Sequence, residues 1–160
     1  MVQSGVKFVI DNAEPSSAPL MAAVTGAAGK QPWNADELAG ILALPSAFGL
    51  IAFADDRPLG FILAQCAAGE SEIINLAVAP VERRQGIGGA LVAKAMARAR
   101  VEGARTMFLE VADDNTAARA LYDRIGFVQV GIRPDYYLRR PVNYVDALIL
   151  RVELIKTGGN

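Results

Sequence analysis

A glycine-rich turn is the segment of this chain whose residue types best suit the binding of an anion. It covers residues 83–89, between the apolar β run 73–78 and the start of an amphipathic helix. The first N–H groups of a helix lack backbone acceptors, and the helix dipole is positive there, so this position favours negative charge. Glycines allow close approach of a ligand, and Arg83 and Arg84 add positive charge. The pattern predicts a pyrophosphate site.

The spacing of the glycines narrows the class of nucleotide site. Gly86, Gly88 and Gly89 form neither the G-x-G-x-x-G fingerprint nor the G-x-x-x-x-G-K-[ST] loop. A dinucleotide fold and a P-loop nucleotidase are therefore disfavoured. The alternative for the segment alone is a turn that leads into an ordinary helix.

One carboxylate downstream of the turn is a candidate general base. In the run 107–112, the two-residue alternation of a strand places Phe108, Glu110 and Ala112 on one face. A carboxylate on a half-buried strand holds a proton more readily than one in water, which suits a base that works near neutral pH. The alternative is an exposed glutamate on an edge strand.

An asparagine and a tyrosine follow on the next predicted helix. Asn115 and Tyr122 are seven residues apart, or two helical turns, so both lie on one stripe of the helix. Asn115 is expected to cap the helix, with contact to a cofactor as the alternative. The Tyr122 ring is expected to pack in the core beside Leu121 and Ile125, while its hydroxyl faces a cleft.

Composition excludes several other mechanisms. The 160 residues contain no histidine and one cysteine, Cys66, which removes Ser-His-Asp triads, Cys-His nucleophiles, histidine-ligated metals and intrachain disulfides. Cys66 ends an apolar strand and is expected to be a small core residue. Sixteen basic and seventeen acidic residues argue against a nucleic-acid-binding surface. No stretch reaches the ~18 apolar residues of a membrane helix, so we expect a cytoplasmic protein.

The elements that position these residues follow from the periodicity of the apolar side chains. Antiparallel strands come first and strand–helix–strand units later, which predicts a mixed sheet covered by helices. No repeat or linker divides the chain, so we expect one domain over residues 1–160. The predicted strands are 6–10, 48–54, 59–65, 72–78, 107–112, 127–132 and 145–154. The predicted helices cover 13–29, a short segment capped by Asn34, a segment ended by Gly103, and one between Asn115 and Gly126.

Four motifs in order resemble those of the GNAT N-acetyltransferase family. The segment Arg83-Arg84-Gln85-Gly86-Ile87-Gly88 resembles the family's R/Q-x-x-G-x-G/A acetyl-CoA pyrophosphate loop. Leu109-Glu110-Val111, Asn115, Ala120-Leu121-Tyr122 and Gly126-Phe127 look like its L-E-V, N, A-L-Y and G-F signature. With Trp33, Arg133, Tyr136-Tyr137 and Asp146-Ala147, the chain is most similar to the RimI branch, the ribosomal-protein alanine N-acetyltransferases.

The resemblance implies a fold, a cofactor and roles for named residues. The implied α+β fold is a mixed sheet of six or seven strands flanked by about four helices, with acetyl-CoA between two parallel strands and no metal. It implies direct transfer in a ternary complex, with Glu110 as general base and Tyr122 as general acid. Apart from the resemblance, Glu72, acting through water, is a second possible base, and the alternative is a surface residue at the start of a strand. The implied cofactor-binding residues are Leu76, Ala77, Val78, Arg83, Arg84, Gln85, Gly86, Ile87, Gly88, Gly89, Asn115 and Tyr122.

The acceptor implied by the branch is a primary amine on a protein. The leading candidate is the N-terminal alanine of a small-subunit ribosomal protein. Tyr136 and Tyr137, predicted in the loop before the last strand, and Trp33 opposite them frame a slot for an extended peptide. Two alternatives stay open: acetylation of a lysine, a polyamine or another small amine, and an acyl-CoA-binding sensor without turnover.

Overall fold

In the computed structural model, seven strands pair in one mixed sheet, in the order β1-β2-β3-β4-β5-β7-β6. The structure describes residues 5–27, 33–139 and 143–155. The strands are β1 Val9–Ala13, β2 Ala47–Ala54, β3 Arg57–Ala67, β4 Glu70–Val78, β5 Thr106–Ala112, β6 Val128–Arg139 and β7 Asn143–Glu153. The helices are α1 Ala18–Ala27, α2 Ala35–Leu42, α3 Ile87–Val101 and α4 Thr116–Ile125, with 3₁₀ turns at Pro15–Ser17 and Pro80–Glu82. The predicted mixed sheet flanked by about four helices is confirmed.

Local signals in the sequence predicted the helix ends well. The Asn34 side chain accepts a hydrogen bond from the Glu37 N–H at 2.8 Å and so caps α2. Gly126, at φ +113°, ends α4 in the left-handed conformation that glycine adopts without strain. The predicted helix at 13–29 is observed as the turn Pro15–Ser17 followed by α1, and positions 28 and 29 lie outside the described residues.

The first strand lies three residues later than predicted. The sequence pattern placed it at 6–10, whereas β1 covers Val9–Ala13 and pairs antiparallel with β2. The Val6 N–H donates to the Gln85 side chain at 2.8 Å, so the backbone at Val6 bonds to a side chain of a distant loop and not to a strand. A contact across 79 positions overrides the local β pattern.

Two apolar layers hold the helices on opposite faces of the sheet. On one face, α3 and α4 bury side chains such as Leu91 and Tyr122 against Leu109 of β5. On the other face, α1 and α2 bury Met21 and Leu38 against β2 and β3. Leu91, Met21 and Leu38 are each 0% exposed, and burial of such side chains stabilises the fold by roughly 1.5–3 kcal/mol each. In the described ranges, no helix is both long and apolar enough to cross a membrane.

The two parallel strands pair over a short distance and then part. β4 and β5 pair only from Glu70–Ile73 to Thr106–Leu109. Beyond Ile73, the β3–β4 register shifts by one residue, so that Ile74 is extra in β4. Residues 76–78 still pair with residues 60–62 of β3, but no strand that the structure describes pairs with their other edge. Every β5 residue pairs with β7 on its far side, which keeps β5 away from the end of β4.

The last hairpin is longer than the sequence pattern indicated. Tyr136 and Tyr137 lie within β6 and not in a loop, which corrects the expectation. Pro134 and Asp135 are typical turn residues, and the β6–β7 register does shift between Arg133 and Tyr137. Asp135, at φ +51°, donates its N–H to Asp146 Oδ1 at 3.0 Å, which supports this irregularity, and the strands pair again at Tyr137.

Two glycine substitutions should change stability in opposite directions. A Cβ on Gly60 would lie 2.8 Å from the Ala77 carbonyl oxygen, so Gly60→Ala must displace the end of β4 and is expected to destabilise the fold by about 1–3 kcal/mol. Gly40 lies on α2 with no atom within 4 Å of its Cβ position, so Gly40→Ala should stabilise by about 0.5–1 kcal/mol. Urea unfolding of both variants measures the difference, and equal stability of the two would contradict the packing at Gly60.

Candidate active site

The turn between β4 and α3 presents backbone donors at a helix N-terminus. Arg84 and Gly86 adopt φ values of +66° and +80°, in the left-handed region. The first hydrogen bond of α3 is donated by the Ala90 N–H to the Gly86 carbonyl at 3.0 Å, so the N–H groups of residues 87–89 have no acceptor within the helix. Free N–H groups and the positive end of the dipole meet at this turn, as the sequence predicted.

The glycines of the turn serve the packing of the two helices as well as close approach. A Cβ on Gly88 would lie 3.3 Å from Leu121 Cδ2 of α4 and 3.8 Å from Val78 Cγ2 of β4. The nearest side-chain atom to a Cβ on Gly89 would be Leu121 Cδ1, at 3.7 Å. Ile87 is 1% exposed and points into the core, so its backbone alone faces the turn.

The cations of the turn are available to a ligand. Arg83 and Arg84 are exposed, and neither forms an ion pair within the part of the chain that the structure describes. Gln85 differs from them, because its amide donates to Glu82 Oε2 at 3.2 Å and accepts from the Val6 N–H at 2.8 Å. The donors, positive charge and open backbone fit a pyrophosphate, with the Gln85 side chain directed away from it.

Glu110 lies where the parallel strands part. It directly follows Leu109, the last β5 residue that pairs with β4, and its side chain is 23% exposed. Its carboxylate forms an ion pair with Arg133, with 2.7 Å between Oε1 and Nε. The strand pattern around Glu110 does not reveal this partner. Register across β5, β7 and β6 brings the two residues together.

The tyrosine pair lies beside Glu110. The Tyr136 and Tyr137 rings are in edge-to-face contact, with 5.0 Å between their centroids. Burial, followed by the negative charge of Glu110 and the neighbouring Tyr136, raises the pKa of the Tyr137 phenol above its ordinary value. The electrostatic effect of Glu110 on Tyr137 places both within one local environment.

Two guanidinium groups flank the tyrosine pair. Arg133 lies over the Tyr136 ring at 5.7 Å, and Arg139 lies over the Tyr137 ring at 5.6 Å. Arg139 is itself fixed by two 2.8 Å hydrogen bonds to the Asp114 carboxylate, just before α4. Trp33 is partly buried and packs against the apolar layer of α1 and α2. The structure joins the tyrosines to Glu110 through Arg133, and the place of Trp33 in the peptide slot stays a prediction.

Tyr122 lies on α4, in the apolar layer that includes Leu109 of β5. It is 5% exposed, and its ring packs edge-on against Phe127 at 5.4 Å, as expected for a core aromatic. Its hydroxyl has no hydrogen-bond partner among the described residues. Burial raises the pKa of the Tyr122 phenol. Asn115 Oδ1 accepts from the Ala118 N–H at 3.2 Å, as a cap.

The remaining candidates lie away from the gap between β4 and β5. Cys66 is at the end of β3 and lines a cavity of about 190 Å³ together with Phe48, Arg98 and Glu102. Burial and the charge of Glu102 raise the pKa of the Cys66 thiol, which disfavours the nucleophilic thiolate. Glu72 is exposed and lies opposite Phe108, within the paired part of the parallel strands.

Comparisons with known proteins identify relatives of the chain. The family model of the acetyltransferase (GNAT) family matches residues 19–127. A [ribosomal protein bS18]-alanine N-acetyltransferase of Salmonella typhimurium LT2 is 35% identical over 101 residues, which cover 63% of this chain and 68% of that protein. The crystal structure of the ribosomal-protein-S18-alanine N-acetyltransferase from Escherichia coli superposes with a TM-score of 0.87 at 27% identity, covering 96% of this chain and 98% of that one.

A more distant structure shows the fold alone. Arabidopsis thaliana NAA60, solved in complex with acetyl-CoA, has a TM-score of 0.80 at 15% identity and covers 92% of this chain and 98% of its own.

Proposed function

Because this chain belongs to the acetyltransferase (GNAT) family and is an N-acetyltransferase that uses acetyl-CoA, we propose that its acceptor is the α-amine of an N-terminal alanine on a small-subunit ribosomal protein. The similarity to ribosomal-protein-S18-alanine N-acetyltransferases supports this acceptor. The observation that carries the proposal is the position of Glu110, half-buried at the parting of β4 and β5 with the two tyrosines beside it.

The residues that hold the cofactor follow from the free donors and charges. The N–H groups of residues 87–89, with Arg83 and Arg84, take the pyrophosphate, and the unpaired edge of residues 76–78 takes the amides of the pantetheine arm. Asn115 lies at the start of α4, near enough in sequence to the β5 end to contact the same arm. Acetyl-CoA, when bound, supplies an acetyl group activated as a thioester.

Glu110 is the group proposed to accept the proton of the acceptor amine. An α-amine has an ordinary pKa of about 7.7–8.0 and is mostly protonated at neutral pH, whereas only the neutral form attacks a carbonyl carbon. The ion pair with Arg133 fixes the orientation of the Glu110 carboxylate. The Arg133 side chain is 56% exposed, so its ion pair with Glu110 is partly solvated and weak. An incoming ammonium group can therefore compete with Arg133 for the Glu110 carboxylate.

Tyr122 is the group proposed to donate a proton on the leaving-group side. The hydroxyl carries its proton at neutral pH, as an ordinary phenol does, so that it can donate a hydrogen bond to the developing negative charge on sulfur. The amine nitrogen forms the new amide bond while the bond from carbon to sulfur breaks. The first proton of the ammonium goes to Glu110 and on to solvent, and as the amide forms Glu110 takes the second proton of the nitrogen. The sulfur leaves with the proton of Tyr122, and solvent returns the proton of Glu110 to Tyr122. Transfer is direct, because Cys66 lies at the far end of the sheet and is poorly ionised.

The acceptor is tested with a panel of amines under one set of conditions. The panel contains a peptide with the N-terminus of ribosomal protein S18, the same peptide with its α-amine blocked and one internal lysine, and spermidine. We expect kcat/KM for the free α-amine to exceed that of the other two by at least about 100-fold, since its lower pKa leaves more neutral amine. Equal or faster turnover of spermidine or lysine would contradict the ribosomal acceptor.

Two conservative substitutions test the proton-transfer residues. Glu110→Gln and Tyr122→Phe keep the shape of each side chain and are expected to lower kcat by about 10²–10⁴-fold and 10–10²-fold, respectively. The matched controls are Glu70→Gln and Tyr144→Phe, at exposed positions outside the gap. Stopped assays for kcat and calorimetry for CoA binding separate transfer from binding. A Glu110→Gln variant that keeps more than a tenth of kcat would rule out Glu110 as the base.

The pH profile tests the protonation form of Tyr122. Tyr122 acts with its proton in place, and burial raises its pKa above the ordinary value of about 10, so its loss on the alkaline side moves to higher pH. We expect kcat/KM to rise as the acceptor amine deprotonates near pH 8 and to stay level up to pH 10. A descending limb below pH 9.5 that is absent in Tyr122→Phe would contradict this assignment.

A further inference from the structure

A buried carboxylate lies immediately before the turn that leads into α3. The Glu82 side chain, at the end of the turn Pro80–Glu82, is 7% exposed, whereas most glutamates are solvated. Each of its oxygens has its own partner: Arg57 Nη1 forms an ion pair with Oε1, and Gln85 Nε2 donates to Oε2 at 3.2 Å. A charge removed from water is tolerated only with such partners.

The contacts of Glu82 continue through the turn to the N-terminal segment. Gln85 donates through its amide nitrogen to Glu82 and accepts through its amide oxygen from the Val6 N–H at 2.8 Å. Arg57 is the first residue of β3, so the chain of contacts joins β3, the 3₁₀ turn, the glycine-rich turn and the segment before β1. Gln85 lies between the two left-handed residues Arg84 and Gly86, whose conformations direct the backbone of the turn. The contacts thus fix the residue at the centre of that turn.

The charges of this group bear on anion binding. Glu82 directly precedes Arg83 and Arg84, so an unpaired carboxylate there would repel a pyrophosphate held by the turn. Arg57 forms its ion pair with this carboxylate, and the Arg57 side chain is 57% exposed. The paired group is neutral, and the two arginines of the turn keep their full effect on an anion.

We infer that Arg57 and Glu82 are positioning residues for the pyrophosphate of CoA, a role that rests on the CoA site proposed above. Both residues lie outside the turn 83–89 that is proposed to bind the pyrophosphate. Glu82 orients Gln85 and through it the turn, and Arg57 cancels the charge that Glu82 brings beside the anion. The two residues therefore differ in their effect on CoA binding, unlike the members of an ordinary structural ion pair. Loss of the Arg57 cation weakens CoA binding, and loss of the Glu82 negative charge does not.

Calorimetric titration of the full chain with CoA tests this difference between Arg57 and Glu82. Arg57→Met leaves the carboxylate unpaired and is expected to weaken CoA binding by about tenfold or more. Glu82→Gln keeps an acceptor for Gln85 but removes the negative charge, so the Kd should stay the same or fall. A purely structural pair would give weaker binding in both variants, so a loss of more than about threefold in Glu82→Gln overturns the inference.

The double variant keeps the test decisive if Arg57→Met does not fold. Arg57→Met with Glu82→Gln has no unpaired buried charge and should bind CoA within about threefold of the native chain; a tenfold loss would overturn the charge argument. Arg98→Met, which breaks the exposed Arg98–Glu102 pair of α3, is the matched control and should leave the Kd within twofold. Circular dichroism at the titration temperature shows that each variant is folded.

The titration contains no acceptor, so it is independent of which amine is acetylated. A wrong acceptor leaves these CoA affinities unchanged, and unchanged affinity in a folded Arg57→Met overturns the positioning role without affecting the acceptor. A native chain that binds no CoA would overturn both the site and the inference.

Discussion

The parting of β4 from β5 is the constraint on which the proposed site depends, because Glu110 lies directly beyond the last parallel pair. Parallel pairing stops at Ile73 and Leu109, Ile74 is an extra residue in β4, and β7 pairs with β5 along its whole length. The proposed joint action of Glu110 and Tyr122 needs such a gap, because Tyr122 belongs to the apolar layer of α3 and α4. No strand that the structure describes pairs with the other edge of residues 76–78, so the backbone groups of this edge are open to a ligand.

The ion pair between Glu110 and Arg133 orients groups and adds little stability. Both side chains retain solvent contact, and pairs of this kind contribute about 0–1 kcal/mol. Its effect lies in position, since Arg133 also covers the Tyr136 ring and thus connects the carboxylate to the tyrosine pair. A peptide that moves this pair changes the surroundings of Glu110 at the same time. The Arg139–Asp114 pair fixes the other tyrosine to the start of α4.

Local patterns predicted much of this molecule, and long-range register accounts for the rest. Neighbouring residues in the sequence predicted the helix caps at Asn34 and Asn115 and the end of α4 at Gly126. The motifs predicted the family and its fold, and both are confirmed. The continuation of β6 beyond residue 132 was not predicted, because Pro134 and Asp135 are typical of turns. In the structure they lie in an irregular part of the strand. Arg57 and Glu82 are 25 positions apart, and no periodicity indicates that they meet. The roles of Glu110 and Tyr122 remain predictions.

The absence of histidine bears on the choice of amine. With no imidazole in the sequence, no side chain has an ordinary pKa near neutrality, so the neutral fraction of the acceptor sets the supply of nucleophile. An α-amine with a pKa near 7.9 is neutral about 300 times more often at pH 7 than a lysine amine with a pKa near 10.4. A carboxylate side chain is in general a weak base, which favours an amine with a low pKa. Carboxylate chemistry and an α-amine acceptor therefore suit each other.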